Sequence, residues 1–231
     1  MSMSMGMRSV ETAHAVEIET GPQPSAAVIW LHGLGADGHD FEPIVPQLVD
    51  DATPALRFVF PHAPVRPVTL NGGARMRAWY DILGLDRHAV QDEEGVRVAD
   101  QRVRHFIEQE QQRGVRPDRI VLAGFSQGGA MALYTALRLR ERLAGVIALS
   151  CYLLLSARFA ERHSANQATP ILLAHGRFDP VVDPQFGVET RGMLEQAGYA
   201  VEWHEYPMGH AVCPEEIEAI GAFLRRVLRA S

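Results

Sequence analysis

The sequence predicts an α/β fold with a mostly parallel central sheet flanked by helices. Short β-branched runs alternate with amphipathic helical stretches along the chain. Several of the runs are apolar throughout rather than alternating, as in strands buried on both faces. The 231 residues suit one large domain, and no internal repeat or low-complexity linker divides them.

The elements follow in order. The start, MSMSMGMRSV, alternates Met with small residues and reads as a disordered leader over residues 1–14, leaving 15–231 as the folded domain. AVEIE (15–19) alternates and suits an edge strand, whereas AAVIWL (26–31) and LRFVF (56–60) suit buried strands. Val96, Ala99, Val103, Phe106 and Ile107 fall at helical spacing, closed by Gly114. RIVLAG (119–124) predicts a strand, 128–140 a helix, AGVIALS (144–150) and PILLAH (170–175) two more strands. Phe186, Thr190, Met193, Leu194 and Ala197 mark a helix, and AVEWHEY (200–206) a strand. Pro214 opens a last helix with Ile217, Ile220, Leu224 and Val227 on one face. In such a fold, ligand sites lie beyond the carboxyl ends of the strands.

Composition narrows the function. The chain is 47% hydrophobic and 22% charged, with net charge −6, which gives no electrostatic footprint for nucleic acid. All 22 basic residues are Arg, so Schiff-base and Ser–Lys mechanisms are excluded. Two cysteines, Cys151 and Cys213, make neither a disulfide framework nor a cysteine-based zinc site and suit the cytoplasm. No apolar run approaches the roughly 18 residues of a membrane span, so no stable membrane insertion is expected.

The strongest local signal is Gly124-Phe125-Ser126-Gln127-Gly128, a G-x-S-x-G between a predicted strand and a predicted helix. The strand must turn sharply to raise the serine hydroxyl clear of the sheet, and side chains at 124 and 128 would collide. A serine hydroxyl is a poor nucleophile at neutral pH and needs a base, which needs an orienting carboxylate. The chain order serine, acid, histidine selects among the residues after Ser126. His163 lies in a polar connection, His175 ends a strand, and His204 sits inside one. His210, in a loop between the last strand and the last helix, is the best base. Asp179 falls just beyond a strand end and suits the acid, whereas Asp183 precedes Pro184 and suits a helix cap.

VIWLHGLGADGHD carries Gly33, Gly35 and Gly38 behind a strand, spelling G-x-G-x-x-G. A dinucleotide loop would need a helix at the glycines and an acidic residue about 20 positions on, after the next strand. Asp50 and Asp51 precede that strand, and Pro43 and Pro46 interrupt the segment. The glycines suit an oxyanion loop instead, with one backbone N–H from Leu34 and another from Gln127, the residue after the nucleophile. His32, Asp37, His39 and Asp40 sit at no standard zinc spacing, so no metal is expected.

As a set, HGLGADGHDF, APVRPVTLNGGARMRAWYDI, AGFSQGGAMALYTAL, HGRFDPVV and YPMGHAVC resemble the acyl-protein thioesterase and bacterial carboxylesterase family of α/β-hydrolases. The resemblance runs from about residue 26 onward. It implies hydrolysis of small-molecule esters and acyl thioesters without a cofactor; the apolar YLLL run (152–155) extends the expected range to lysophospholipids, the other reading of that run being a buried strand end. It places the triad on Ser126, Asp179 and His210, the oxyanion donors on Leu34 and Gln127, and the acyl cleft beside Leu34, Trp79 and Val182. The chain departs from the family pattern at Ala211 and at Leu154, both of which bear on substrate preference. The connection from Cys151 to Thr169 is too short for a large lid, so a site for short or medium acyl chains is expected. A homodimer is compatible with the sequence. Two alternatives remain at this stage: a ligand-binding protein that kept the scaffold without turnover, and a peptidase or C–C bond hydrolase.

Overall fold

A computed structural model of the chain describes residues 6–84 and 89–229. In chain order the regular elements are β1 (Arg8–Glu11), β2 (Ala15–Glu19), β3 (Ala26–Leu31), the single turn α1 (Val45–Leu48) and β4 (Leu56–Pro61). Next come β5 (Val65–Val68), β6 (Ala74–Arg77), α2 (Glu93–Gln112), β7 (Ile120–Phe125), α3 (Gln127–Ala136) and β8 (Gly145–Leu149). The chain continues through β9 (Ile171–Gly176), α4 (Pro184–Gln196), β10 (Val201–Tyr206) and α5 (Pro214–Val227). Among the described residues eight strands form one sheet in the order β1-β2-β4-β3-β7-β8-β9-β10. Within it β1–β2 and β2–β4 are antiparallel and the other pairs parallel, while β5 and β6 form a separate antiparallel hairpin.

The continuous apolar runs have the physical cause the sequence suggested. Along β3 the side chains alternate between two cores: Ala27, Ile29 and Leu31 join one, Val28 and Trp30 the other. Helices α2 and α3 cover the first core, and α1 and α5 cover the second. Full burial of each large aliphatic side chain contributes about 1.5–3 kcal/mol, which fixes strand register before any site is built.

Two differences from the sequence reading concern the edge. Residues 8–11, expected within a disordered leader, form β1, paired from Arg8↔Glu19 to Glu11↔Val16. All four are exposed, so apolar patterning does not reveal the strand; main-chain pairing with β2 defines it. Strand β2 is therefore covered on both sides and is not the edge. Residues 1–5 of the expected leader lie outside the described residues. Among the described residues no helix is long and apolar enough to cross a membrane.

Glu216, in the first turn of α5, is fully buried and neither of its oxygens makes a close hydrogen bond. Burial pushes its carboxyl up to about 8, against a small lowering from the Cys213 backbone. The folded state thus keeps a proton that the unfolded chain releases above its ordinary value. Stability from this group is full at low pH and falls as pH rises from the ordinary range to about 8, where the loss levels off. The size is roughly 3–5 kcal/mol. Thermal melts of Glu216→Gln should show a markedly smaller drop in Tm between pH 5 and pH 8 than the parent chain.

Candidate active site

Strand β7 ends at Phe125 and α3 begins at Gln127, so the whole reversal falls on Ser126. Its backbone sits at φ 54°, ψ −121°, a region that costs a side-chain-bearing residue about 1–3 kcal/mol. Two main-chain bonds hold it there: Ser126 N–H donates to the Leu149 carbonyl at 2.8 Å, and the Ala130 N–H donates to the Ser126 carbonyl at 3.0 Å. The flanking glycines are required by close approach. A Cβ at Gly124 would lie 2.3 Å from the Gly128 carbonyl oxygen, and one at Gly128 would lie 2.1 Å from that of Leu31. The collision expected between 124 and 128 is present, and Gly128 also meets the end of β3.

The loops after β9 and β10 carry the other two groups. They run together because Arg177 N–H donates to the Tyr206 carbonyl (2.8 Å) and Phe178 N–H to that of Met208 (3.0 Å), continuing the ladder past the strand ends. His210 Nε2 lies 2.9 Å from Ser126 Oγ, and His210 Nδ1 lies 2.7 Å from Asp179 Oδ2. The carboxylate accepts, so Nδ1 carries the proton and Nε2 is left with its lone pair toward the serine hydroxyl. Asp179 Oδ1 accepts from the N–H groups of Val181 (2.8 Å) and Val182 (2.9 Å), which fixes the carboxylate plane. The Phe125 ring packs on the imidazole with centroids 4.7 Å apart.

His163, His204 and Asp183 lie elsewhere, whereas His175 sits behind the acid, its Nε2 3.4 Å from Asp179 Oδ2 and on the far side from Ser126. His175 Nε2 donates to the Val182 carbonyl at 2.9 Å and is buried. His163 accepts from Ala165 N–H, and His204 pairs with Glu202. Asp183 caps α4 through Gln185 N–H at 2.9 Å.

The glycine stretch after β3 leads into no long helix; only a short 3-10 turn and α1 follow, so a nucleotide phosphate would find no extended helix N-terminus there. The loop lies beside the nucleophile instead: a Cβ at Gly33 would sit 3.5 Å from the Ser126 Cβ. Gly35 holds φ 78°, and its N–H donates to the Arg77 carbonyl at 2.8 Å. Gln127 opens α3, so its N–H has no acceptor within the helix. His39, weighed as a metal ligand, pairs with Glu42 at 2.7 Å and Glu11 at 3.3 Å, and Asp37 accepts from the His39 N–H. His32 is spent on backbone groups.

The expected cleft residues divide. A cavity of about 900 Å³, counting its open mouth, adjoins the acid loop through Val182, and Tyr80, Ile82, Tyr152, Leu153 and Met193 also line it. Val182 is the one of the three that lines this cavity. Trp79 is a correction: it is a core residue, 1% exposed, and does not line the cavity. Its indole N–H donates to the His32 carbonyl at 2.9 Å and its backbone N–H to Gln127 Oε1 at 2.8 Å, so it braces the two loops from behind. Leu34, half-buried and next in the chain to Gly33, is not part of the cavity wall either.

Several wall residues escaped the sequence reading. Phe186, Thr190 and Met193 were assigned to a helix by their spacing, but this face of α4 lines the cavity. Tyr80 and Tyr152 join hydroxyls at 2.9 Å across it, a pairing between residues far apart in sequence that no local pattern marks. The YLLL run is not a strand end, because β8 stops at Leu149 and the chain turns through Leu155 at φ 48°. The Gln127 side chain was overlooked as well; its Nε2–H donates to the Tyr80 carbonyl at 2.8 Å.

Comparison with known proteins identifies the family and the fold. The model of the phospholipase/carboxylesterase family matches residues 12–228. Acyl-protein thioesterase 1 of Neurospora crassa is 44% identical over 214 residues, covering 87% of this chain and 86% of that protein. Its counterpart in Gibberella zeae is 40% identical over 220 residues, covering 89% and 92% respectively. Among solved structures, Arabidopsis thaliana SOBER1 superposes with a TM-score of 0.83 at 33% identity, covering 88% of this chain and 99% of that one. Zea mays acyl-protein thioesterase 2 gives 0.79 at 27% identity, covering 96% and 98%.

Proposed function

Because the chain belongs to the phospholipase/carboxylesterase family and is a serine hydrolase, we propose that Ser126, His210 and Asp179 cleave carboxylic esters and acyl thioesters through an acyl-enzyme. Ser126 Oγ attacks the acyl carbonyl while its proton passes to His210 Nε2. The carbonyl oxygen takes up the negative charge and faces the N–H groups of Leu34 and Gln127. As the tetrahedral intermediate collapses, the bond to the leaving oxygen or sulfur breaks, and His210 returns its proton to that atom. A water then gives its proton to His210, attacks the acyl-enzyme, and the same sequence releases the acid. Asp179 stays ionised throughout and holds the imidazolium.

The observation that carries this reading is the continuous path from Asp179 Oδ2 through His210 to Ser126 Oγ, at 2.7 Å and 2.9 Å. The acyl chain is assigned to the cavity beside Val182, which suits short and medium lengths. The two cysteines are free, which fits a reducing compartment, and the proposal places the enzyme in the cytoplasm.

A substrate series tests the class. Straight-chain p-nitrophenyl esters, acyl thioesters of the same lengths, a lysophospholipid and an aminoacyl anilide are compared by kcat/KM. Esters and thioesters should both turn over, with kcat/KM rising with acyl length until the cavity is filled and falling beyond it. Faster turnover of the anilide would move the chain to the peptidase reading.

A further inference from the structure

The peptide joining Gly33 to Leu34 is the unit whose direction matters most in the oxyanion loop, and it has a dedicated handle. His32 Nδ1 lies 2.7 Å from the Gly33 carbonyl oxygen, and His32 Nε2 lies 3.0 Å from the Ala63 nitrogen. A carbonyl only accepts and a backbone N–H only donates, so the two contacts together allow one arrangement. Nδ1 carries the proton and donates to Gly33; Nε2 is bare and accepts from Ala63. A doubly protonated ring would set two N–H groups against each other at Ala63. Burial agrees with this, pushing the imidazole down to about 4, so the ring is neutral at working pH.

In a planar trans peptide the C=O and N–H point in opposite directions. A ring that grips the Gly33 carbonyl therefore turns the Leu34 N–H the other way. The loop lies against Ser126, and without a side chain Gly33 does little to resist rotation of its ψ. The loop is pinned from behind at the same residue, where Trp79 Nε1–H donates to the His32 carbonyl at 2.9 Å. The Gln127 side chain is tied to the same Trp79–Tyr80 stretch, through Trp79 N–H and the Tyr80 carbonyl.

We propose that His32 is a positioning residue for the reaction: its Nδ1–H holds the Gly33 carbonyl and thereby aims the Leu34 N–H at the oxygen that becomes negative. The inference rests on the assignment of Leu34 and Gln127 as oxyanion donors. It makes His32 act on the transition state and leave ground-state binding of the acyl chain nearly alone.

Two substitutions separate this role from simple packing. The side-chain amide of His32→Asn falls near the place of Nδ1 and can still donate to Gly33. That of His32→Gln falls near the place of Nε2 and can only keep the Ala63 contact. The Asn variant should stay within about 10-fold of the parent, and the Gln variant should lose about 100-fold in kcat with KM little changed, the size of one mis-set oxyanion donor. Affinity for an alkyl trifluoromethyl ketone, to which Ser126 adds to give an anionic hemiketal, should fall by the same factor as kcat. Equal activity and ketone affinity in the two variants would overturn the inference, as would a loss confined to KM.

A measurement on the unsubstituted chain guards against variants that fold poorly. Histidine ¹⁵N correlation spectra should show His32 protonated on Nδ1 alone, and an Nε2-protonated ring would overturn the proposal. A crystal structure of the parent hemiketal separates the two layers. An oxyanion away from the Leu34 and Gln127 amides defeats the donor assignment itself. An oxyanion on those amides, with full ketone affinity retained by His32→Gln, defeats only the role of His32.

Discussion

Ser126→Ala is expected to lower kcat for a p-nitrophenyl ester by about 10⁴–10⁶-fold while the chain stays folded. The two halves of that statement have separate causes. Activity goes because the substitution removes the hydroxyl that lies 2.9 Å from His210 Nε2. The fold stays because alanine keeps the Cβ, and the bonds that hold the turn, to the Leu149 carbonyl and from the Ala130 N–H, are main-chain bonds. His210 also keeps Asp179 and the Phe125 ring. Circular dichroism and thermal melting should therefore match the parent, and a fluorophosphonate probe should fail to label the variant. Retained turnover at normal stability would place the nucleophile elsewhere.

Asp179→Asn should cost about 10⁴-fold in kcat, the size of the effect when an amide replaces the triad acid. The local bonding dictates which way the amide faces. Two N–H groups, from Val181 and Val182, point at Oδ1, so the asparagine oxygen must take that place. Its NH₂ is then turned to His210 Nδ1, which has to accept. The ring changes tautomer, its remaining proton moves to Nε2, and the base that should receive the serine proton is already occupied. The Asn variant should fold like the parent, since the loop bonds to Oδ1 survive, and ¹⁵N spectra should show His210 protonated on Nε2. A variant with near-parent activity would show that the carboxylate charge and the tautomer it imposes are not needed.

Much of this site was legible in the sequence because the fold imposes order on it. A sharp strand-to-helix turn needs glycines at fixed offsets, and the loops of successive parallel strands must lie side by side, so Ser126, Asp179 and His210 could be chosen from position alone. Asp183 was separable from Asp179 because a residue before proline at a helix start has a capping task. The ends of β3, β7, β8 and β9 were legible to within about a residue because both faces are buried. The C-terminal end of α3 was not: the helix expected to reach 140 stops at Ala136, and Arg138 N–H bonds back to Thr135 in a tightened turn.

What escaped notice depends on tertiary contacts. Strand β1 and the β5–β6 hairpin are short and largely exposed, and Pro67 interrupts β5, so no apolar period marks them. Trp79 looked like a cleft residue because its motif neighbours the site. Only the structure shows that its polar atoms are committed to His32 and Gln127. The Gln127 side chain was invisible for the opposite reason: its position in G-x-S-x-G draws attention to its backbone.

The rungs that join the loops beyond β9 and β10 bear on how such a scaffold can be altered. Gly176 has no room for a side chain, since a Cβ there would meet the Gly209 carbonyl oxygen at 2.2 Å. The acid-bearing and base-bearing segments thus travel as one piece. Grafting either of them alone from another protein would break the shared register, whereas the wall formed by Ile82 and Leu153 can be recut without disturbing it.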